Sequence, residues 1–162
     1  MSAADCELVL TLHASKGSGA HPPARALRRW ACAAVGARVR GEIAVALVGS
    51  ARSRALNRRY RRRDRATNVL SFPAPEAARR AGLLGDLVIC PAVLRAEARV
   101  QRKPLAAHWA HLVVHGALHL IGFDHMRDQD ARRMERREIR VLRRLGFDNP
   151  YRVRPQLPSG RL

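Results

Sequence analysis

The sequence predicts an α+β fold: one small mixed four-stranded sheet packed against about five helices, with a histidine-bearing helix at its centre. Three observations carry that expectation. Short apolar runs recur with the period of two that suits strands. Between them lie longer runs with helical spacing, several opened by proline or closed by glycine. The resulting order is β-α-β-α-β-β-α-α-α, with no internal repeat, long linker or low-complexity tract. At 162 residues with 47% hydrophobic content, the chain suits one domain with a real core. That domain is expected over residues 1–151, followed by a flexible tail at 152–162 that carries Pro155, Pro158 and Gly160.

Residues 7–13 (ELVLTLH) alternate as a strand. A glycine- and proline-bearing loop follows, and Pro22 and Pro23 lead into a helix over about 23–36 with Leu27, Trp30, Ala31 and Ala34 inward. Residues 42–48 (EIAVALV) read as a buried strand. Ser50 is expected to cap a helix that runs to about Arg62 and buries Leu56 and Tyr60. Residues 68–72 form a short strand, 73–82 a mobile loop, and 86–90 (DLVIC) another strand. Pro91 opens a helix to about Arg102, and Pro104 opens the histidine helix to about Ile121. The last helix spans about 129–145 and ends at Gly146.

The most informative stretch is HGALHLIGFDH, residues 115–125. His115 and His119 are four apart, so both face one side of a helix, about one turn (roughly 5.4 Å) apart. Gly122 can end that helix in a left-handed conformation, and His125 then returns from the loop as a third ligand. Three protein ligands leave a fourth tetrahedral position open, the pattern of a catalytic zinc site, one Zn2+ per chain. Paired histidines on a helix often serve only as polar groups on a half-buried face. Here the apolar flanks bury the helix, and several unpaired buried imidazoles are costly, which favours a shared metal. The spacing matches the long zinc-peptidase motif, but the position of its general-base glutamate is occupied by Gly116. Metal-assisted hydrolysis is therefore expected, and ordinary peptide hydrolysis is disfavoured.

The formal charge of +18 comes from 31 basic and 13 acidic residues and points to a polyanionic partner, most simply nucleic acid. The competing explanation is arginine enrichment on solvated faces, since Lys16 and Lys103 are the only lysines. Cys6, Cys32 and Cys90 form no CxxC pair and read as three unpaired, small buried residues in a reducing compartment. The first residues, with Asp5 and Glu7, show no secretory pattern, and no uncharged apolar stretch reaches the roughly 18 residues of a membrane span. A cytoplasmic protein is expected.

Other residues bear on the site. The run from Arg58 to Asp64 is basic, and guanidinium forks there can clamp phosphates, although Arg58, Arg59 and Arg62 read better as a solvated face. Gly85 is expected to serve a turn, and Asp86 either orients a histidine or binds backbone amides. His108 and His111 precede His115 on a similar face, as outer groups or as borders of a cleft. Asp124 can accept a ring N–H and is the nearest carboxylate for proton transfer. Met126 and Met134 are expected in the core, and Glu135 and Glu138 as salt-bridged or solvated residues of the last helix.

HWAHLVVHGALHLIGFDH (108–125) resembles the signature of the bacterial YbeY endoribonuclease family, the ribosomal RNA maturation factors. ALNRRYRRRDRATNVLSFP (55–73), LGDLVICP (84–91) and LGFDNPY (145–151) extend the likeness over most of the chain from about residue 42. The resemblance implies a single-strand-specific, zinc-dependent endoribonuclease. It would act with the small ribosomal subunit, and with possible ribosomal or assembly-factor protein partners, in maturation of the 3′ end of small-subunit RNA and in ribosome quality control. By position it implies His115, His119 and His125 as metal ligands and Arg61 as the arginine that holds the RNA backbone and assists catalysis. Arg63 is expected to share RNA binding, and Asp124 to be the second catalytic candidate. The chain departs from the family in its last helix, where arginines stand at 132, 133, 136, 137, 140, 143 and 144 in place of a commonly acidic face. A zinc peptidase and a non-catalytic ribosome-assembly factor are the alternatives.

Overall fold

A computed structural model describes residues 6–152, so the expected tail lies outside the described residues apart from Arg152. Alternation gives four strands: β1 (Leu8–Ala14), β2 (Gly41–Leu47), β3 (Val69–Pro73) and β4 (Leu83–Ile89). They form one sheet in the order β1-β2-β4-β3. β1, β2 and β4 run parallel, and β3 is antiparallel to β4 at the edge. Leu8, Ile43, Val45, Leu47, Leu87 and Ile89 point to the packed face and are buried, whereas Val9 on the other face is 58% exposed.

The described residues also form six helices: α1 (Ala24–Val35), α2 (Ser50–Arg61), α3 (Glu76–Arg80), α4 (Pro91–Val100), α5 (Leu105–Leu120) and α6 (Asp128–Arg144). α5 is central, touching α1, α4, α6, β3 and β4. Its Trp109, Ala110, Leu112, Val113, Val114, Ala117, Leu118 and Leu120 are buried in the core. At roughly 1.5–3 kcal/mol for each large apolar side chain, this helix supplies a major part of the hydrophobic stabilisation.

Several local expectations are corrected. The stretch expected as a mobile loop contains α3, held by an Arg80–Glu76 ion pair at 2.7 Å one turn apart. β4 begins at Leu83, three residues early, because Leu83 and Gly85 pair with Glu42 and Ile43 across a register shift. Ser50 does not cap α2: Gly49 occupies the N-cap and the Ser50 hydroxyl faces Cys90 Sγ at 3.9 Å. The face α2 turns inward carries Ser53 and Asn57, which are buried, while Tyr60 is 49% exposed. Those two polar side chains bond the Thr67 and Arg65 carbonyls, so α2 serves to clamp a loop. Cys6 and Cys32 form a disulfide, their Cα atoms 6.0 Å apart, where unpaired thiols were expected. A separation of 26 residues carries no sequence pattern, and only the packing of α1 beside β1 brings the two together. Met134 is buried as expected, but Met126 is 83% exposed.

Gly85 lies within β4 rather than in a turn. Its φ is +143°, and a Cβ there would stand 2.3 Å from the Phe72 carbonyl oxygen and 2.8 Å from Leu120 Cδ2. Glycine is needed for both the backbone angle and the close approach of β3. Gly85→Ala is expected to cost about 3 kcal/mol or more, since overpacking and backbone strain act together. A urea denaturation midpoint equal to that of the parent protein would contradict this packing.

Candidate metal centre

α5 carries His108, His111, His115 and His119 along one stripe. After Ile121 the helix closes with Gly122 at φ +102°, with Gly122 N–H bonding the His119 carbonyl (3.1 Å) and Phe123 N–H the Leu118 carbonyl (3.0 Å). This cap reverses the chain. It brings the Phe123 carbonyl back to accept a hydrogen bond from His119 Nδ1 at 2.9 Å. His125 follows, its loop tightened by Asp124 Oδ1, which accepts the backbone N–H groups of His125 (2.7 Å) and Met126 (3.2 Å).

The three imidazoles converge. His115 Nε2 and His125 Nδ1 each lie 3.1 Å from His119 Nε2. Ligand nitrogens about 2.05 Å from a tetrahedral zinc stand roughly 3.3 Å apart, so the spacing fits. The donor set fits as well. A carbonyl only accepts, so His119 carries its proton on Nδ1 and presents a lone pair at Nε2. Burial, followed by the neighbouring His115 and His125, pushes the His119 pKa down to about 4, so the ring is neutral at ordinary pH. His115 gives its Nδ1 proton to Glu138 Oε1 at 2.5 Å and likewise presents Nε2 as a lone pair. Two lone pairs face each other at 3.1 Å, an arrangement that a shared cation satisfies.

Glu138 is the functional residue that the sequence reading missed. It was expected as salt-bridged or solvated, yet its side chain is fully buried. Besides His115 it accepts His111 Nε2 at 3.3 Å and the Tyr151 hydroxyl. Burial alone would raise its pKa, but the hydrogen bonds from His111, His115 and Tyr151 prevail and hold it down at about 2. A carboxylate on the outer nitrogen of a ligating histidine fixes its tautomer and orientation. The signal was present in α6, where Met134, Glu138, Val141 and Leu142 are its buried residues at helical spacing. His111 is thus an outer group, and His108 bonds Glu97 at 2.8 Å; neither lines the cleft. Asp86 is exposed in mid-strand and, like Asp124, bonds no histidine ring.

The triad opens into a cleft of about 770 Å³ that is also lined by Arg61, Arg63, Arg65 and Asp124. The loop after α2 supplies Arg63 and Arg65, its backbone clamped by Ser53 and Asn57 and its Asp64 gripped by Arg54 at 2.8 and 3.0 Å. Arg61 Nη2 donates to the Ser71 carbonyl at 3.1 Å, and its guanidinium lies 5.9 Å from the Phe72 ring centroid. Ser71 in turn donates to the Gly116 carbonyl of α5 at 3.3 Å. The structure therefore gathers His115, His119, His125, Arg61, Arg63 and Asp124 around one cleft. Arg65 joins them without having been singled out from the basic run.

A profile described as Endoribonuclease YbeY matches residues 24–146. The chain belongs to the YbeY endoribonuclease family. Proteins named Endoribonuclease YbeY from Methylococcus capsulatus and Aromatoleum aromaticum are each 49% identical to it, covering 91% of this chain and 98% and 95% of theirs. One from Pseudomonas putida is 51% identical over 82% of this chain and 86% of its own. The solution structure of a Thermotoga maritima protein covers 95% of this chain with a TM-score of 0.55 at 24% identity, a likeness of fold. YbeY membership makes the chain an endoribonuclease-family hydrolase. A Cβ at Gly116 would meet Leu87 Cδ2 at 2.8 Å and Ser71 Oγ at 3.3 Å, so a side chain at this position would require the Leu87 methyl to shift.

Proposed function

We propose that this protein is a zinc-dependent endoribonuclease that cleaves single-stranded RNA, acting in maturation of the 3′ end of small-subunit ribosomal RNA and in ribosome quality control. The observation that carries the reading is the meeting, in one cleft, of three imidazole donors with Arg61 and Arg63. His115, His119 and His125 hold the metal. A zinc ion held by these residues would supply Lewis acidity to a water and to a phosphoryl oxygen. Arg61 and Arg63 place guanidinium forks on the nonbridging phosphate oxygens and neutralise charge as it grows. Arg61 is steadied for this by Ser71 and Phe72. Asp124 is the acidic residue lining the cleft and is assigned the proton of the attacking water. Its Oδ1 is engaged by backbone amides, which leaves Oδ2 for that role.

Small-subunit RNA and its ribosomal or assembly-factor proteins are the partners in this reading, and the cytoplasm is the compartment. Among the described residues no helix is long and apolar enough to cross a membrane. The test is to give metal-loaded protein unstructured RNA, ribosomal RNA precursor and casein. Cleavage of RNA alone is expected; cleavage of casein alone would transfer the site to peptide chemistry. Arg61→Glu is expected to lower RNA cleavage at least about a hundredfold, in the range seen when one charge-stabilising donor is lost, with metal content unchanged. Normal cleavage by that variant would remove Arg61 from the mechanism.

A further inference from the structure

A second concave surface, of about 840 Å³, lies between the C-terminal end of α1 and α6 and shares no lining residue with the cleft. Arg29, Arg38, Arg137 and Arg144 line it, and among the described residues no carboxylate does. Some arginines elsewhere find partners: Arg54 takes Asp64, Arg40 takes Glu7, and Arg28 takes the Leu8 and Cys6 carbonyls. The four around this groove have none among the described residues, and Arg137 Nε is buried without an acceptor. Four like charges converging on one hollow work against the fold, and a buried guanidinium nitrogen without a partner adds to that cost. A bound polyanion relieves both.

We propose that this groove is an exosite for the phosphate backbone of single-stranded RNA, a second hold on the strand whose scissile bond lies in the cleft. This rests on the reading of the protein as a ribonuclease. The lining names the kind of contact. Guanidinium forks match phosphate oxygens, and the rest of the wall is the Cys6–Cys32 disulfide and small or aliphatic residues, including Val35, Val141 and Leu145. Among the described residues no aromatic side chain lines it, so they offer no platform for stacking bases. Binding is therefore to the backbone, tolerant of sequence and steeply salt-dependent. α6 joins the two sites: Arg137 faces the groove, and Glu138 beside it grips His115.

The test is the variant carrying Arg29→Ala, Arg38→Ala and Arg144→Ala, three exposed positions, with a parallel Arg→Lys variant that keeps the charge. Thermal melts check folding. Affinity for a long unstructured RNA is measured across salt concentrations, and kcat and KM are measured on that RNA and on a short oligonucleotide. Loss of three phosphate contacts at ~0.7 each is expected to make the slope of log affinity against log salt shallower by about 2 and to raise KM for the long RNA about tenfold or more. The kcat on both substrates and the KM for the short one stay unchanged, and the lysine variant keeps the parent's salt slope. An unchanged slope and KM in the alanine variant overturn the exosite while leaving the cleft reading intact. Loss of binding to a polyglutamate peptide with RNA affinity unchanged also overturns it, in favour of an acidic protein segment. Parent protein that binds no RNA overturns both readings.

Discussion

His119→Ala is expected to abolish metal binding and to lower RNA cleavage by at least about a thousandfold, because a Lewis acid worth several kcal/mol of transition-state stabilisation is lost at about 1.4 kcal/mol per factor of ten. His119 is the ligand to test because its Nε2 lies 3.1 Å from both other donors. Its removal leaves two nitrogens, too few to hold a tetrahedral ion with an open position. Two measurements check this. Metal content by elemental spectroscopy is expected to fall from one ion per chain to none. Chelation is expected to lower the melting temperature of the parent by about 10 °C, since saturating metal contributes about 4 kcal/mol, and to leave that of the variant unmoved. A variant that retains stoichiometric metal and cleaves RNA would remove the triad from the chemistry.

Glu138→Ala carries the second large effect, and it acts on fold and metal together. The carboxylate accepts from His115, His111 and Tyr151 inside the protein. Deleting it leaves those donors facing an apolar void, a loss of about 3–5 kcal/mol. His115 also loses the partner that fixes its tautomer, and metal affinity is expected to fall about 10- to 100-fold. Urea unfolding without metal reads the first effect, and competition against a chromophoric chelator reads the second. Glu138→Gln keeps the shape and one acceptor oxygen and is expected to fall between the two. Parent-like affinity in the alanine variant would reduce Glu138 to a packing residue.

The fold and the convergence of His115, His119 and His125 were legible because both depend on short-range periodicity. A spacing of four sets His115 and His119 on one side of a helix whatever it packs against, and Gly122 ends that helix by its own conformational freedom. Alternation marked β1, short apolar runs marked the other three strands, and prolines marked the starts of α4 and α5. The basic run that supplies Arg61 and Arg63 was visible for the same local reason. What escaped was long-range. α3 escaped because five residues between proline and glycine carry too little periodic signal. Gly85 looks like a turn residue until β3 is laid 2.3 Å from where its Cβ would be. The Cys6–Cys32 bond spans 26 residues without a pattern.

Glu138 draws the line most clearly. Sequence by itself determined that three imidazoles would meet, since covalent geometry and helical pitch place donors only a few residues apart. Tertiary structure alone decided which carboxylate would steady them, because His115 and Glu138 lie 23 residues apart on different helices and meet only when α6 docks on α5. A charged group in the middle of an arginine-rich helix reads as solvated until that docking removes it from water. The packing of α6 beside α1 likewise set Arg29, Arg38, Arg137 and Arg144 around one hollow, which no local spacing encodes.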